Sequence, residues 1–76
     1  MDRTRIEVHG LADDDAAAAL EKILIGKTGV PAARIDPALE LAEVTYDPEL
    51  VSPDDIVRWI RGAGYEARFA GRSRGA

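Results

Sequence analysis

A single histidine, His9, stands four residues ahead of three consecutive aspartates, Asp13, Asp14 and Asp15. These residue types bind metal ions, so metal chemistry is the first possibility to weigh. The chain has no cysteine and one methionine, Met1. Soft Cu(I) takes thiolate or thioether ligands, and Zn(II) takes imidazole or thiolate. Met1 and His9 are all that the sequence offers either ion. Alternation puts His9 on the outward face of a strand, where a solvated imidazole is the simpler reading. The aspartates would suit a hard cation, but consecutive helical residues point about 100° apart and do not converge. Calcium loops instead space their acids at alternate positions around a glycine turn. A helix start explains all three aspartates, each contributing about 0.3–1 kcal/mol beside the positive end of the helix dipole. Asp54 and Asp55 have the same explanation further along. Metal binding through His9, Asp13 or Asp14 is the weaker reading, and no metal or cofactor is expected. Catalysis has no support: the histidine lacks an evident serine partner, and the glycines form no phosphate-cradling loop. The chain reads as a non-enzyme.

The elements that would position these residues follow from periodicity. Residues 4–9 alternate, with Ile6 and Val8 on one face and Arg5, Glu7 and His9 on the other, as in a half-buried strand. Gly10 ends it. Asp13 then caps a helix whose apolar stripe is read as Ala16, Leu20, Ile23 and Leu24. Gly26, Thr28 and Gly29 stop that helix. A second strand follows, with Ala33 and Ile35 inward and Arg34 and Asp36 outward; Pro37 confines it to a sheet edge or end. Residues 39–46 alternate again, Ala42, Val44 and Tyr46 opposing Leu41, Glu43 and Thr45. Ser52, Pro53 and Asp55 have the spacing of an N-cap, a first helical position and its N3 acid. Ile56, Trp59, Ile60 and Ala63 are the expected buried stripe of the second helix. Gly62 and Gly64 end it, and Tyr65, Ala67 and Phe69 alternate in a last strand.

The order strand, helix, strand, strand, helix, strand predicts an α+β, ferredoxin-like βαββαβ sandwich. Its four-stranded antiparallel sheet would carry both helices on one face, leaving the other charged and open. Residues 1–70 would form that single domain and residues 71–76 a flexible tail. At 46% hydrophobic and 32% charged the chain has the make-up of a folded domain rather than a disordered one. A net charge of −4 argues against general nucleic-acid binding and against an anionic membrane surface. No apolar run is long enough to cross a bilayer, and the N-terminus lacks a signal-peptide core, so the expected compartment is the cytoplasm.

Within that frame, Val8-His9-Gly10-Leu11, Leu20-Glu21, Leu24, Gly29-Val30, Ile35-Asp36, the run from Ala42 through Val44-Thr45-Tyr46 to Asp47-Pro48, Ile60 and Gly64-Tyr65 stand in a familiar register. Together they resemble the heavy-metal-associated domain family, the fold of small copper chaperones and of N-terminal modules of metal-pumping ATPases. The resemblance runs from Arg5 to Phe69. It implies a Gly-Met-x-Cys-x-x-Cys metal loop after the first strand. Here Leu11 takes the methionine place, Asp13 that of the first cysteine and Ala16 that of the second. Lys27 replaces a usual leucine and Trp59 a usual small residue, an exchange read as local repacking near the end of the first helix. Tyr65 falls beside the loop, where its hydroxyl could cap it or its ring simply pack.

The expected function is a small interaction or accessory module that keeps the scaffold without its soft-metal site. Its partner would be another protein or a second copy of itself. Leu39 and Leu41, beside Arg34 on the edge strand, are the candidate docking residues. The alternative is a metal carrier or sensor using carboxylates, His9 or a site shared between subunits.

Overall fold

The computed structural model describes residues 1–70, and the expected tail at 71–76 lies outside the described residues. The six elements come in the predicted order: β1 (Asp2–His9), α1 (Asp14–Ile25), β2 (Ala32–Asp36), β3 (Leu41–Tyr46), α2 (Pro53–Gly62) and β4 (Glu66–Phe69). The sheet order is β2-β3-β1-β4 with every pair antiparallel. Two βαβ crossovers interleave to give it, which is the ferredoxin-like arrangement. No helix among the described residues is long and apolar enough to cross a membrane.

Alternation decides which face is buried. Ile6, Val8, Ala33, Ile35, Ala42, Val44 and Tyr46 point under the helices, where Leu20, Leu24, Ile56 and Ile60 close the core. Among the described residues no polar or charged residue is buried. Within the core the helices hold to the sheet through apolar area, at about 25 cal/mol per Å² removed from water.

The stripes that anchor the helices differ from those read in the sequence. Helix α1 buries Ala17, Leu20 and Leu24, while Ile23 is 44% exposed and Ala16 only half-covered. Helix α2 buries Ile56, Val57 and Ile60, leaving Trp59 half-buried and Ala63 exposed. Both helices sit rolled in the same sense, toward Ala17 in α1 and Val57 in α2 and away from Ile23 and Trp59. Lys27 covers part of Trp59 instead, its Nζ 5.4 Å from the ring centroid, in cation–π range. Phe69, expected inward, is 44% exposed at the end of β4. Leu39, expected in a strand, lies in the turn at 37–40, where the Asp36 carboxylate accepts from the amides of Ala38 and Leu39.

The two edge strands are each tied to the helix above them. On β2, the Glu21 carboxylate of α1 accepts the Ile35 amide hydrogen at 2.7 Å. On β4, the Arg61 guanidinium of α2 donates to the Ala67 carbonyl at 2.8 and 3.1 Å. An acid takes an edge donor on one side and a base takes an edge acceptor on the other.

Candidate functional site

Antiparallel pairing brings three connections to one pole of the molecule: the loop after β1, the turn between β2 and β3, and the residues between α2 and β4. Gly10 leaves β1 at φ +104, a conformation that L side chains rarely adopt. Tyr65 stands against it; a Cβ built on Gly10 would meet the Tyr65 ring at 3.6 Å, an ordinary contact. Leu11 and Tyr65 both pack, half-buried, against the core. The loop is therefore pinned by an apolar residue and an aromatic ring, and Tyr65 accounts for itself by packing.

Asp13 is the N-cap of α1. Its backbone is extended, at φ −162 and ψ −176, and its Oδ1 accepts the Ala16 amide hydrogen at 2.9 Å. That bond satisfies one of the amides a helix start leaves orphaned. Asp14 and Asp15 are exposed in the first turn, where the helix dipole favours them. The cap reading made from the sequence holds for all three. At α2 the expected box is complete: the Ser52 hydroxyl accepts from the Asp55 amide at 3.2 Å, and the Asp55 carboxylate accepts from the Ser52 amide at 3.0 Å. That bond, with Arg58 beside it, holds the Asp55 carboxyl below its ordinary 3.8.

His9 has more company than its sequence suggested. Its Nε2 lies 3.3 Å from a Glu7 oxygen, and its Nδ1 lies 3.1 Å from a Glu40 oxygen in the β2–β3 turn. Hydrogen bonding to Glu40, then to Glu7, raises the imidazole above its ordinary 6.5 against a smaller opposing effect of burial. Glu7 in turn lies 3.8 Å from the Arg68 guanidinium on β4. The Glu7 contact could have been found from the two-residue spacing on one strand face. The Glu40 contact depends on a turn 31 residues downstream, and no local signal points to it.

This geometry weighs against a metal at the pole. The two carboxylates approach opposite ring nitrogens, so they clamp the imidazole instead of converging with it on one ion. No group of three or more potential ligands that could hold a metal ion occurs among the described residues. At the two places the resemblance assigns to cysteines stand a carboxylate engaged by its own helix and a methyl group. Met1, the one sulfur in the chain, precedes the far end of the eight-residue strand β1, about 25 Å away at about 3.3 Å per residue. The donor set does not fit Cu(I).

The docking candidates lie at and beside the β2–β3 turn. Arg34 and Leu41 line a shallow groove that wraps the β2 edge, with Arg5 and Glu43 from the open face and Asp14 and Glu21 from α1; Arg34 faces Glu43 across the β2–β3 pairing. Leu39 stands apart at the turn, 70% exposed. The Glu43 carboxylate lies 3.5 Å from Arg5 and 3.9 Å from Arg3.

Comparison with known proteins agrees on the scaffold. Residues 5–66 match the heavy-metal-associated domain family. The probable copper-transporting ATPase HMA5 of Arabidopsis thaliana is 36% identical over 63 residues, covering 83% of this chain and 6% of the ATPase. The copper-transporting ATPase ccc2 of Schizosaccharomyces pombe is 29% identical over 75 residues, 99% of this chain and 8% of the relative. The chain thus spans less than a tenth of these relatives. Among solved structures, a copper binding domain from HMA7, a P-type ATPase, superposes with a TM-score of 0.89 at 30% identity, covering 93% of this chain and 96% of that one. The CopZ metallochaperone, at 22% identity and a TM-score of 0.83 over 88% of this chain and 100% of that one, shares the fold. From strand register to loop placement, this chain belongs to the heavy-metal-associated domain family.

Proposed function

We propose that this domain is a non-enzymatic interaction module whose ancestral soft-metal loop has been converted into an ordinary helix cap. One observation carries the reading: the Asp13 side chain, at the place of the first cysteine, is bonded to the Ala16 amide, at the place of the second. The loop keeps its shape by hydrogen bonding within the chain, and nothing soft is left to bind an ion. Leu39, Leu41 and Arg34, at and beside the β2–β3 turn, are the proposed docking surface, for a partner protein or a second copy. Docking would use the open face and the turn, since the Glu21 carboxylate already occupies an outward amide of the β2 edge.

Calorimetric titration tests this directly. The expected result is no Cu(I) or Zn(II) site of micromolar affinity or better. A stoichiometric site at that level would instead favour a carrier using carboxylates, His9 or ligands shared between two copies. The double change Asp13→Cys with Ala16→Cys should create a Cu(I) site that neither single change creates, because two thiolates beside a helix N-terminus can share one ion. A double variant no better than the single ones would show that these positions do not correspond to the family's metal loop.

A further inference from the structure

His9 does a job that neither metal binding nor docking requires. Its ring bridges two carboxylates from different parts of the chain, Glu7 on β1 and Glu40 in the β2–β3 turn. The same turn is tied to β1 through its backbone, where the Val8 amide donates to the Glu40 carbonyl at 2.9 Å. Glu40 makes this double connection from φ +54, a left-handed conformation uncommon for a residue other than glycine. The turn is thus held at a cost in backbone strain, by contacts that include one titratable ring.

We infer that His9 is a pH-operated latch that fixes the β2–β3 turn to the end of β1. The argument is a donor count. A protonated imidazole has two N–H donors and can serve both carboxylates; a neutral one has a single donor and an acceptor lone pair, which a carboxylate repels. Deprotonation therefore releases one partner. Glu7 retains Arg68 beside it, whereas Glu40 has no other ion-pair partner among the described residues. Glu66, the cross-strand neighbour of His9 on β4, adds a further negative charge that favours the closed, protonated state. A neutral histidine favours the Nε2–H tautomer, which keeps its donor on Glu7 and turns the Nδ1 lone pair toward Glu40; release therefore falls on Glu40, and the strained turn carrying Leu39 loosens. Hydrogen bonding to the two carboxylates raises the ring's affinity for its proton, which moves this change above the ordinary 6.5. The latch stands whether or not the turn is a docking surface.

A proton titration of the full chain followed by NMR tests it. Expected are one shared midpoint above 6.5 for the His9 ring and for the amides of Val8, Leu39 and Leu41, and faster solvent exchange at Val8 on the alkaline side. Glu40→Gln should lower the ring midpoint toward 6.5 and abolish the coupled transition at Leu39. Glu7→Gln should lower the midpoint too but leave the coupling in place. Turn amides that fail to follow the ring, or a ring midpoint unmoved by Glu40→Gln, would overturn the latch. Retention of the remaining amide pattern in each variant distinguishes that outcome from misfolding.

Discussion

The two poles of the sandwich are built on opposite principles. Each turns its chain with glycine in the left-handed region: Gly10 and Gly64 at the loop pole, Gly29 at the other. At Gly29 there is no room. A Cβ there would stand 2.7 Å from a Val51 methyl carbon and 3.0 Å from the Leu50 Cβ, and the Gly29 carbonyl accepts from the Asp47 amide at 2.8 Å. At Gly10 a Cβ would make only ordinary contact, and at Gly64 it would meet nothing within 4 Å. One pole is locked by close packing; the other is held by a helix cap, a doubly bonded histidine and a ring resting on a loop. The open construction belongs to the pole where the family places its metal loop, so the fold confines adaptable chemistry to the end that can change without disturbing the core.

The largest expected effect tests the packed pole. Gly29→Ala adds a clash to the backbone strain and should cost about 3 kcal/mol or more in denaturant unfolding. Gly10→Ala suffers the strain alone and should cost about 1–2 kcal/mol. Equal losses would erase the contrast between the poles. Next come the caps: Ser52→Ala breaks a reciprocal pair and should cost about 1–2 kcal/mol, while Asp13→Ala loses one bond and should cost about 1 kcal/mol. Thermal melts of the two variants would rank them, and the reverse order would mean that the loop supports more of the fold than its geometry suggests.

The smallest effect is a dependence on pH. His9 titrates higher when folded than unfolded, so its contribution is complete below 6.5 and disappears as pH rises through the raised native value. Asp55 behaves oppositely: its contribution is present above 3.8 and is lost as pH falls through its lowered native value. Stability should therefore decline gently on both sides of a plateau. His9→Gln should flatten the alkaline side alone, as read from melting temperatures across a pH series. An unchanged alkaline slope would assign that limb to another group.

Much of this was legible in the sequence because periodicity is a local property. Alternation in residues 4–9 and 41–46 identified the core face, and the Ser52-Asp55 spacing identified a cap whose bonds are now visible. The helix phases were harder to read. Four consecutive alanines, Ala16 to Ala19, leave α1 without a distinctive stripe, and Ile23 drew the reading toward the wrong flank. Trp59 did the same in α2, where Val57 is the buried residue. How far a helix rolls depends on the sheet beneath it, which no window of one helix contains. The His9–Glu40 contact was illegible for a similar reason, since it needs the strand register and one left-handed backbone angle together.

The paired ties from Glu21 to Ile35 and from Arg61 to Ala67 also bear on how this domain survives at high concentration. A small sheet without disulfides risks growing by accretion, each molecule adding a strand to the next until fibrils or precipitate form. A stacking strand would have to displace a charged side chain from an outward backbone group on either side. Since one tie is an acid on a donor and the other a base on an acceptor, no single surface charge protects both. Neutralising one residue would leave the opposite border intact, so the exposed edges would pair two molecules and stop; growth needs both ties removed.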